Sequence, residues 1–211
     1  MAPDGMPGTP MAEGGRRAAL GSGRVHADAG RLLSAWEPPS LAQSALRDAY
    51  LAHLAGHADA ADRSCTAGHL TASALVVDRD GRVLLTRRAL GKLTWPGVWT
   101  NSFCGHPAPG EQQDAAIRRR AERELGLTLT GLELLLPDFR YRAVDASGIV
   151  ENELCPVYRA TVDGDPDPAL DEVAEWEWVH PGDLREAVEA APFAFSPWLV
   201  LQLAEWTEFG S

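Results

Sequence analysis

Residues 94–111 read TWPGVWTNSFCGHPAPGE, and residues 112–126 continue as QQDAAIRRRAERELG. Gly and Pro at the density of the first stretch make a rigid loop that can hold Cys104 and His106 at fixed positions. The second stretch has helical composition from Glu111, and Gly126 stands where a helix would end. A cysteine in a context such as Ser102-Phe103-Cys104 suits the role of a small buried filler. A thiol two residues from a potential metal-binding imidazole, in a loop leading to a carboxylate-bearing helix, is equally a candidate acid or nucleophile.

Working outward, TASALVV (71–77) and RVLLTRR (82–88) are β-type runs joined by DRDG, and are expected to form a hairpin. Downstream, LELLLPDFRYRAV (132–144) and GIVENELCPVYRATV (148–162) are expected as two long strands around DASG. A Pro/Asp loop, a short strand in EWEWVH, a helix over Gly182 to Ala190 and a final helix in SPWLVLQLAEW complete the pattern. Strands first, one helix, more strands and terminal helices imply an α+β domain with a mixed β-sheet sandwiched between helices.

Upstream, residues 1–40 are expected to form a disordered or irregular tail, most plainly over Met1 to Gly23, where large apolar residues are few. Residues 41–67 are a separate helical segment: LAQSALRDAYLAHL spaces apolar residues at helical intervals behind Ser40, a plausible N-cap. Residues 68–211 are expected to form the main domain, the one that would carry any catalytic site.

At 211 residues and 45% hydrophobic content, the chain can build one substantial core. The net charge of −11 argues against a nucleic-acid partner, and leaves an anionic substrate to a local basic cluster. No apolar run approaches the roughly 20 residues that span a bilayer, so the expectation is a cytoplasmic protein without membrane association. Three scattered cysteines, Cys65, Cys104 and Cys155, are expected to be thiols.

The second chemical constellation is Glu151-Asn152-Glu153. In a strand, residues two apart share a face, so both carboxylates project together from an otherwise apolar run. Two such acids repel unless a cation or a shared proton compensates them. His69 and His106 are the imidazoles available to join them, and two His with two Glu suit a divalent ion such as Mn2+ or Zn2+. Surface glutamates on an edge strand are the simpler alternative.

Gly105, Glu111, Arg119, Glu124 and Gly126 resemble part of the Nudix signature, in which a loop, a helix and a loop present glutamates to divalent metal and diphosphate. Arg119-Arg120 and Arg123-Glu124 stand where the hydrolases of that superfamily carry more acids, so hydrolysis is not expected. Over residues 69–202 the resemblance is to the type 1 isopentenyl diphosphate isomerases, carried by LLTRRAL, TWPGVWTNSFCGHP, RELG, PDFRYRA, SGIVENELCPVY, DEV and AFSPW.

That resemblance implies a Nudix fold and interconversion of isopentenyl and dimethylallyl diphosphate through a tertiary carbocation. It implies Cys104 and Glu153 as proton-handling groups on opposite faces of the allylic system. Tyr141 would assist proton delivery, and the Trp198 ring would face the cation. Arg88, Lys92 and Arg120 would grip the diphosphate, with Mg2+ bridging it to Glu124. His69, His106, Glu151 and Glu153 would hold a second ion. Arg87 and Arg119 are expected to be solvated or structural. The family carries a further histidine ligand where this chain has Asp62, and His57, Asp62 or Cys65 are open as replacements. Because the N-terminal segment departs from the family, an alternative is an isomerase-like enzyme acting on a longer prenyl diphosphate.

Overall fold

The computed structural model describes residues 27, 29–38, 40–60, 67–108 and 110–206. Residues 29–35 are helical, which corrects the irregular tail expected over residues 1–40 at that point. Leu32 and Leu33 give this stretch two adjacent large apolar side chains, which are sparse in the sequence before it. Residues 1–26, and Asp62 and Cys65, lie outside the described residues.

Helix α1, Leu41–Gly56, starts where the Ser40 side chain accepts a hydrogen bond from the Gln43 amide. Its buried residues are Tyr50 and Leu54. The Tyr50 hydroxyl donates to the Pro137 carbonyl at 3.1 Å, which ties the helix to the body of the fold.

The larger sheet has seven strands. Its central strand, β2 (Ala72–Val77), is buried along its whole length. One face, through Leu75 and Val77, packs with β3 (Val83–Arg88) residues Val83 and Leu85 against Leu184, Trp198 and Leu199. Those three belong to helices α3 (Pro181–Ala190) and α4 (Pro197–Glu205). The other face, through Ala72, Ala74 and Val76, meets Ile117, Ala121 and Leu125 of helix α2 (Gln113–Leu125). Strict alternation therefore buries both faces, and the mixed sheet lies between helices as the sequence pattern implies.

The DRDG turn forms with Gly81 at φ +76°, and the Asp78 carboxylate accepts from the Asp80 and Arg82 amides. The strands it joins pair only at Val77 and Val83. Beyond that point they diverge, because β4 (Trp99–Thr100) pairs with β3 and β5 (Phe103–Gly105) pairs with β2. The loop bearing Cys104 is thus partly strand, with Cys104 opposite Ser73.

Each of the two long downstream strands is broken in two. The first divides into β6 (Gly131–Leu136) and β7 (Arg140–Val144), and the second into β8 (Val150–Leu154) and β9 (Val157–Thr161). Pro137 and Pro156 stand at the breaks; neither can donate to a ladder. The Cys155 amide donates to the Phe139 carbonyl at 2.9 Å, so the breaks lie together. On one side of them, β9 joins the large sheet between parallel β2 and antiparallel β6, and β10 (Val173–Val179) lines its far edge. On the other, β8 lies between β7 and β1 (His69–Leu70) in a separate three-stranded sheet. The chain also changes sheets at Thr71, between β1 and β2. The candidate site occupies this junction.

Candidate active site

Register places the first ligands. In the small sheet Glu153 is paired with His69 on one side and Tyr141 on the other. Glu151 and Glu153 are both buried while Asn152 between them is not, as same-face spacing requires. Nε2 of His69 lies 3.4 Å from Glu153 Oε1 and 3.8 Å from Glu151 Oε2. His69 is fully buried, and neither of its ring nitrogens has a hydrogen-bond partner. An imidazole left in that condition beside two buried carboxylates has the donor set of a divalent cation site.

His106 stacks on His69, with ring centroids 5.1 Å apart, but the atoms that converge within ligating distance come from His69, Glu151 and Glu153. His57 does not join them. Its Nδ1 is bonded to the His53 carbonyl, and its ring stacks on His53, whose Nε2 is bonded in turn to Gly68.

Cys104 Sγ lies 3.5 Å from Glu153 Oε2, so the two candidate proton-handling groups are in contact. Strand β5 pairs with the start of β2, and β8 pairs with β1 just before it, which brings both side chains to the same sheet junction. Cys155 Sγ lies 3.7 Å from Cys104 Sγ, and the Thr71 hydroxyl donates to the same Glu153 oxygen at 2.9 Å.

Their environments separate their protonation states. The hydrogen bond with Cys155, burial and the Glu153 charge together push the Cys104 thiol well above its ordinary range. Burial also pushes Glu153 up, but the imidazoles of His69 and His106 and the Thr71 hydroxyl outweigh it and bring the carboxyl down to about 2. A neutral thiol thus touches an ionised carboxylate. Burial, reinforced by Glu153, raises Tyr141 far enough to keep its hydroxyl protonated.

On the other side of Cys104 a cavity is lined by Arg88, Lys92, Glu124, Glu172 and Trp198 as well as the cysteine itself. The Trp198 Nε1 donates to Asn101 at 3.0 Å, the Tyr141 ring is 5.5 Å away, and the Arg88 guanidinium sits 5.5 Å over the indole face. Arg120 donates to Glu124 at 2.6 Å, and Lys92 is paired with Glu172. Burial raises the Glu124 carboxyl despite that arginine. Arg119 makes a two-pronged pair with Glu111, and Arg87 is held by Glu175 and the Gly97 carbonyl. Neither arginine lines the cavity.

Four contributors escaped the sequence reading. Cys155 and Thr71 share faces with Glu153 and His69 by two-residue spacing, a signal that was available. Thr94 and Glu172 sit in loops where no periodicity applies.

A NUDIX domain matches residues 68–199. The isopentenyl-diphosphate Delta-isomerase of Clavibacter sepedonicus is 64% identical over 138 residues, covering 65% of this chain and 73% of that protein. The chain belongs to the type 1 isopentenyl-diphosphate Delta-isomerase family of the Nudix superfamily. Within this isomerase family, the Agromyces mediolanus protein of the same name is 66% identical over 137 residues, covering 65% of this chain and 66% of its own. The fold is shared more widely: the MutT protein of Methanosarcina mazei Go1 superposes with a TM-score of 0.54 at 17% identity, covering 66% of this chain and 92% of that one. Among the described residues of this isomerase homologue, no helix is long and apolar enough to cross a membrane.

Proposed function

We propose that this protein interconverts isopentenyl diphosphate and dimethylallyl diphosphate. The observation that carries the reading is the position of the Cys104 thiol, which touches Glu153 and also lines the cavity bearing Arg88, Lys92, Glu124 and Trp198. A proton donor thereby meets a base, a π face and a cluster of cations in one place.

Arg88, Lys92 and Arg120 grip the diphosphate, Arg suiting the oxygens by its planar donors. Glu124 beside them would hold Mg2+, whose charge would offset that of the diphosphate. Cys104, held neutral, gives a proton to one end of the alkene. The tertiary cation faces Trp198 and is kept from water by the buried surroundings. Glu153, held ionised, removes a proton two carbons away, and Tyr141, its neighbour across the small sheet, assists proton delivery. His69, Glu151 and Glu153, with His106 against them, would hold a second divalent ion, Mn2+ or Zn2+, whose charge offsets the adjacent carboxylates. The reaction has no nucleic-acid or membrane partner, and the cytoplasm is its proposed location.

The test is incubation of the purified protein with Mg2+ and isopentenyl, dimethylallyl or longer prenyl diphosphates in heavy water, with products analysed by mass. Deuterium in both five-carbon diphosphates is expected. A cyclised or rearranged long-chain product without that exchange would overturn the substrate, and phosphate or pyrophosphate release as the main event would overturn the reaction.

A further inference from the structure

Each carboxylate of the Glu151/Glu153 pair has one oxygen held by a threonine hydroxyl and the other facing His69. Thr71 Oγ1 donates to Glu153 Oε2 at 2.9 Å, while Glu153 Oε1 faces His69 Nε2 at 3.4 Å. Thr94 Oγ1 donates to Glu151 Oε1 at 3.0 Å, while Glu151 Oε2 faces the same nitrogen at 3.8 Å. The two threonines come from unconnected places, the β1–β2 junction and the loop after β3. Both are buried, at 0% and 1% exposure.

A buried hydroxyl seldom donates to a carboxylate without consequence for its rotamer. It occupies one oxygen and turns the other to whatever lies opposite, here the unpartnered imidazole of His69. Thr94 has a second connection. Arg88 donates from its guanidinium to the Thr94 hydroxyl at 3.2 Å, and to the Thr94 carbonyl at 3.0 and 2.8 Å. A donor chain therefore runs from Arg88 through Thr94 to Glu151, and each link polarises the next.

We propose that Thr71 and Thr94 are a positioning pair for a divalent cation bound by His69, Glu151 and Glu153, and that Thr94 also couples this centre to the diphosphate grip of Arg88. The inference rests on the metal site and on the role of Arg88 in the proposed function, but not on the isomerisation itself. Among the described residues Thr71 bonds Glu153 and no hydrogen bond joins its hydroxyl to the Arg88 guanidinium, so the two threonines separate the two halves of the claim.

The test uses the full chain stripped of metal by a chelator and titrated calorimetrically with Mn2+, then with inorganic pyrophosphate at saturating Mn2+. Thr71→Val and Thr94→Val keep the side-chain shape and remove the hydroxyl. Each is expected to weaken Mn2+ binding by about 10–100-fold, the range for residues that orient metal ligands. Thr71→Ser and Thr94→Ser restore the donor and bind close to wild type. Thr94→Val, and not Thr71→Val, also weakens pyrophosphate binding. Near-UV circular dichroism checks the fold, and Thr→Ala at either position carries the same comparison if a valine variant does not fold.

Mn2+ binding unchanged in both valine variants, serine variants as weak as valine, or a wild-type chain that takes up no Mn2+ would each overturn the positioning role. Equal pyrophosphate affinity in Thr94→Val and wild type would overturn the coupling. Mn2+ binding that depends on the hydroxyls, in a chain that does not isomerise isopentenyl diphosphate, leaves the inference standing and removes the activity.

Discussion

The Cys104 thiol and the Glu153 carboxylate are in contact, 3.5 Å from Sγ to Oε2, although 49 residues of sequence separate them. Strand pairing enforces the contact, because Cys104 is opposite Ser73 on β2 and Glu153 is opposite His69 on β1. A shared environment that keeps one neutral and the other ionised is what acid and base require of each other. Cys104→Ala and Glu153→Gln are each expected to lower turnover by at least ~10²–10⁴-fold, the range for general acid–base groups. Deuterium incorporation measures the loss, and unchanged circular dichroism shows that the fold survives. An active Cys104→Ala protein would remove the thiol from the mechanism.

The protonation of Cys104 has its own test. The thiolate is the species that alkylates. With the hydrogen bond to Cys155 foremost among the causes that raise Cys104, its reaction with iodoacetamide should stay slow until the pH is well above the ordinary thiol range. Cys155→Ala removes that partner and should shift the alkylation profile to lower pH. An identical profile in wild type and Cys155→Ala would show that Cys155 does not set the thiol.

Glu111 offers a stability prediction away from the chemistry. Its carboxylate accepts two hydrogen bonds from Arg119, both at 2.7 Å, and one from the Ala108 amide at 2.6 Å. It thereby clamps the loop that follows His106 onto helix α2. Arg119 holds the Glu111 carboxyl below its usual range. The stabilisation is therefore present above the unfolded value near ~4.3 and is lost as the pH falls through the lower folded value. At neutral pH Glu111→Gln should cost about 1 kcal/mol, since the pair is partly solvated. Thermal melts over a descending pH series check this: wild type and variant should differ at pH 7, and the difference should shrink steadily as the pH falls below the unfolded value.

The elements legible in the sequence were those with local signals. Gly126 ends α2 at φ +64°, Ser196 caps α4, and the period of two in Glu151 and Glu153 faces both acids inward. The strand breaks at Pro137 and Pro156 were equally local in cause. They passed unread because apolar residues continue on both sides of each proline. The contacts that complete the site are long-range, as when Thr71 reaches Glu153 across 82 positions and Thr94 reaches Glu151 across 57. No local pattern distinguishes such a threonine from a buried spacer; only the sheet junction does. The touching of Cys104 and Glu153 likewise depends on how β5 and β8 converge.

Trp198 separates packing from catalysis. Its ring is 4% exposed, anchored through Nε1 to Asn101, with Trp95 edge-on at 5.3 Å. Trp198→Ala should destabilise the fold by about 3–5 kcal/mol, so its loss of activity says little about the cation. Trp198→Phe retains an aromatic face of smaller quadrupole. It should fold, lower kcat, and leave KM for isopentenyl diphosphate close to wild type. A rise in KM with unchanged kcat would make Trp198 a wall of the binding site and not a partner of the transition state.

Gly105 is the residue through which the thiol loop meets the diphosphate grip. A Cβ added there would fall on the Arg120 side chain, 2.9 Å from its Cδ and Cζ and closer still to Nε. Arg120 is paired with Glu124 one turn further along helix α2, at 2.6 Å, and a shift of the arginine disturbs that pair. Gly105→Ala therefore displaces a proposed phosphate ligand and releases Glu124, while Cys104 keeps its place in β5. KM for isopentenyl diphosphate and the Mg2+ requirement should both rise, with a smaller change in kcat. Arg120→Lys should reproduce the KM effect, since a point charge replaces the planar fork. If Gly105→Ala lowers kcat alone, the loop serves the thiol and not the diphosphate.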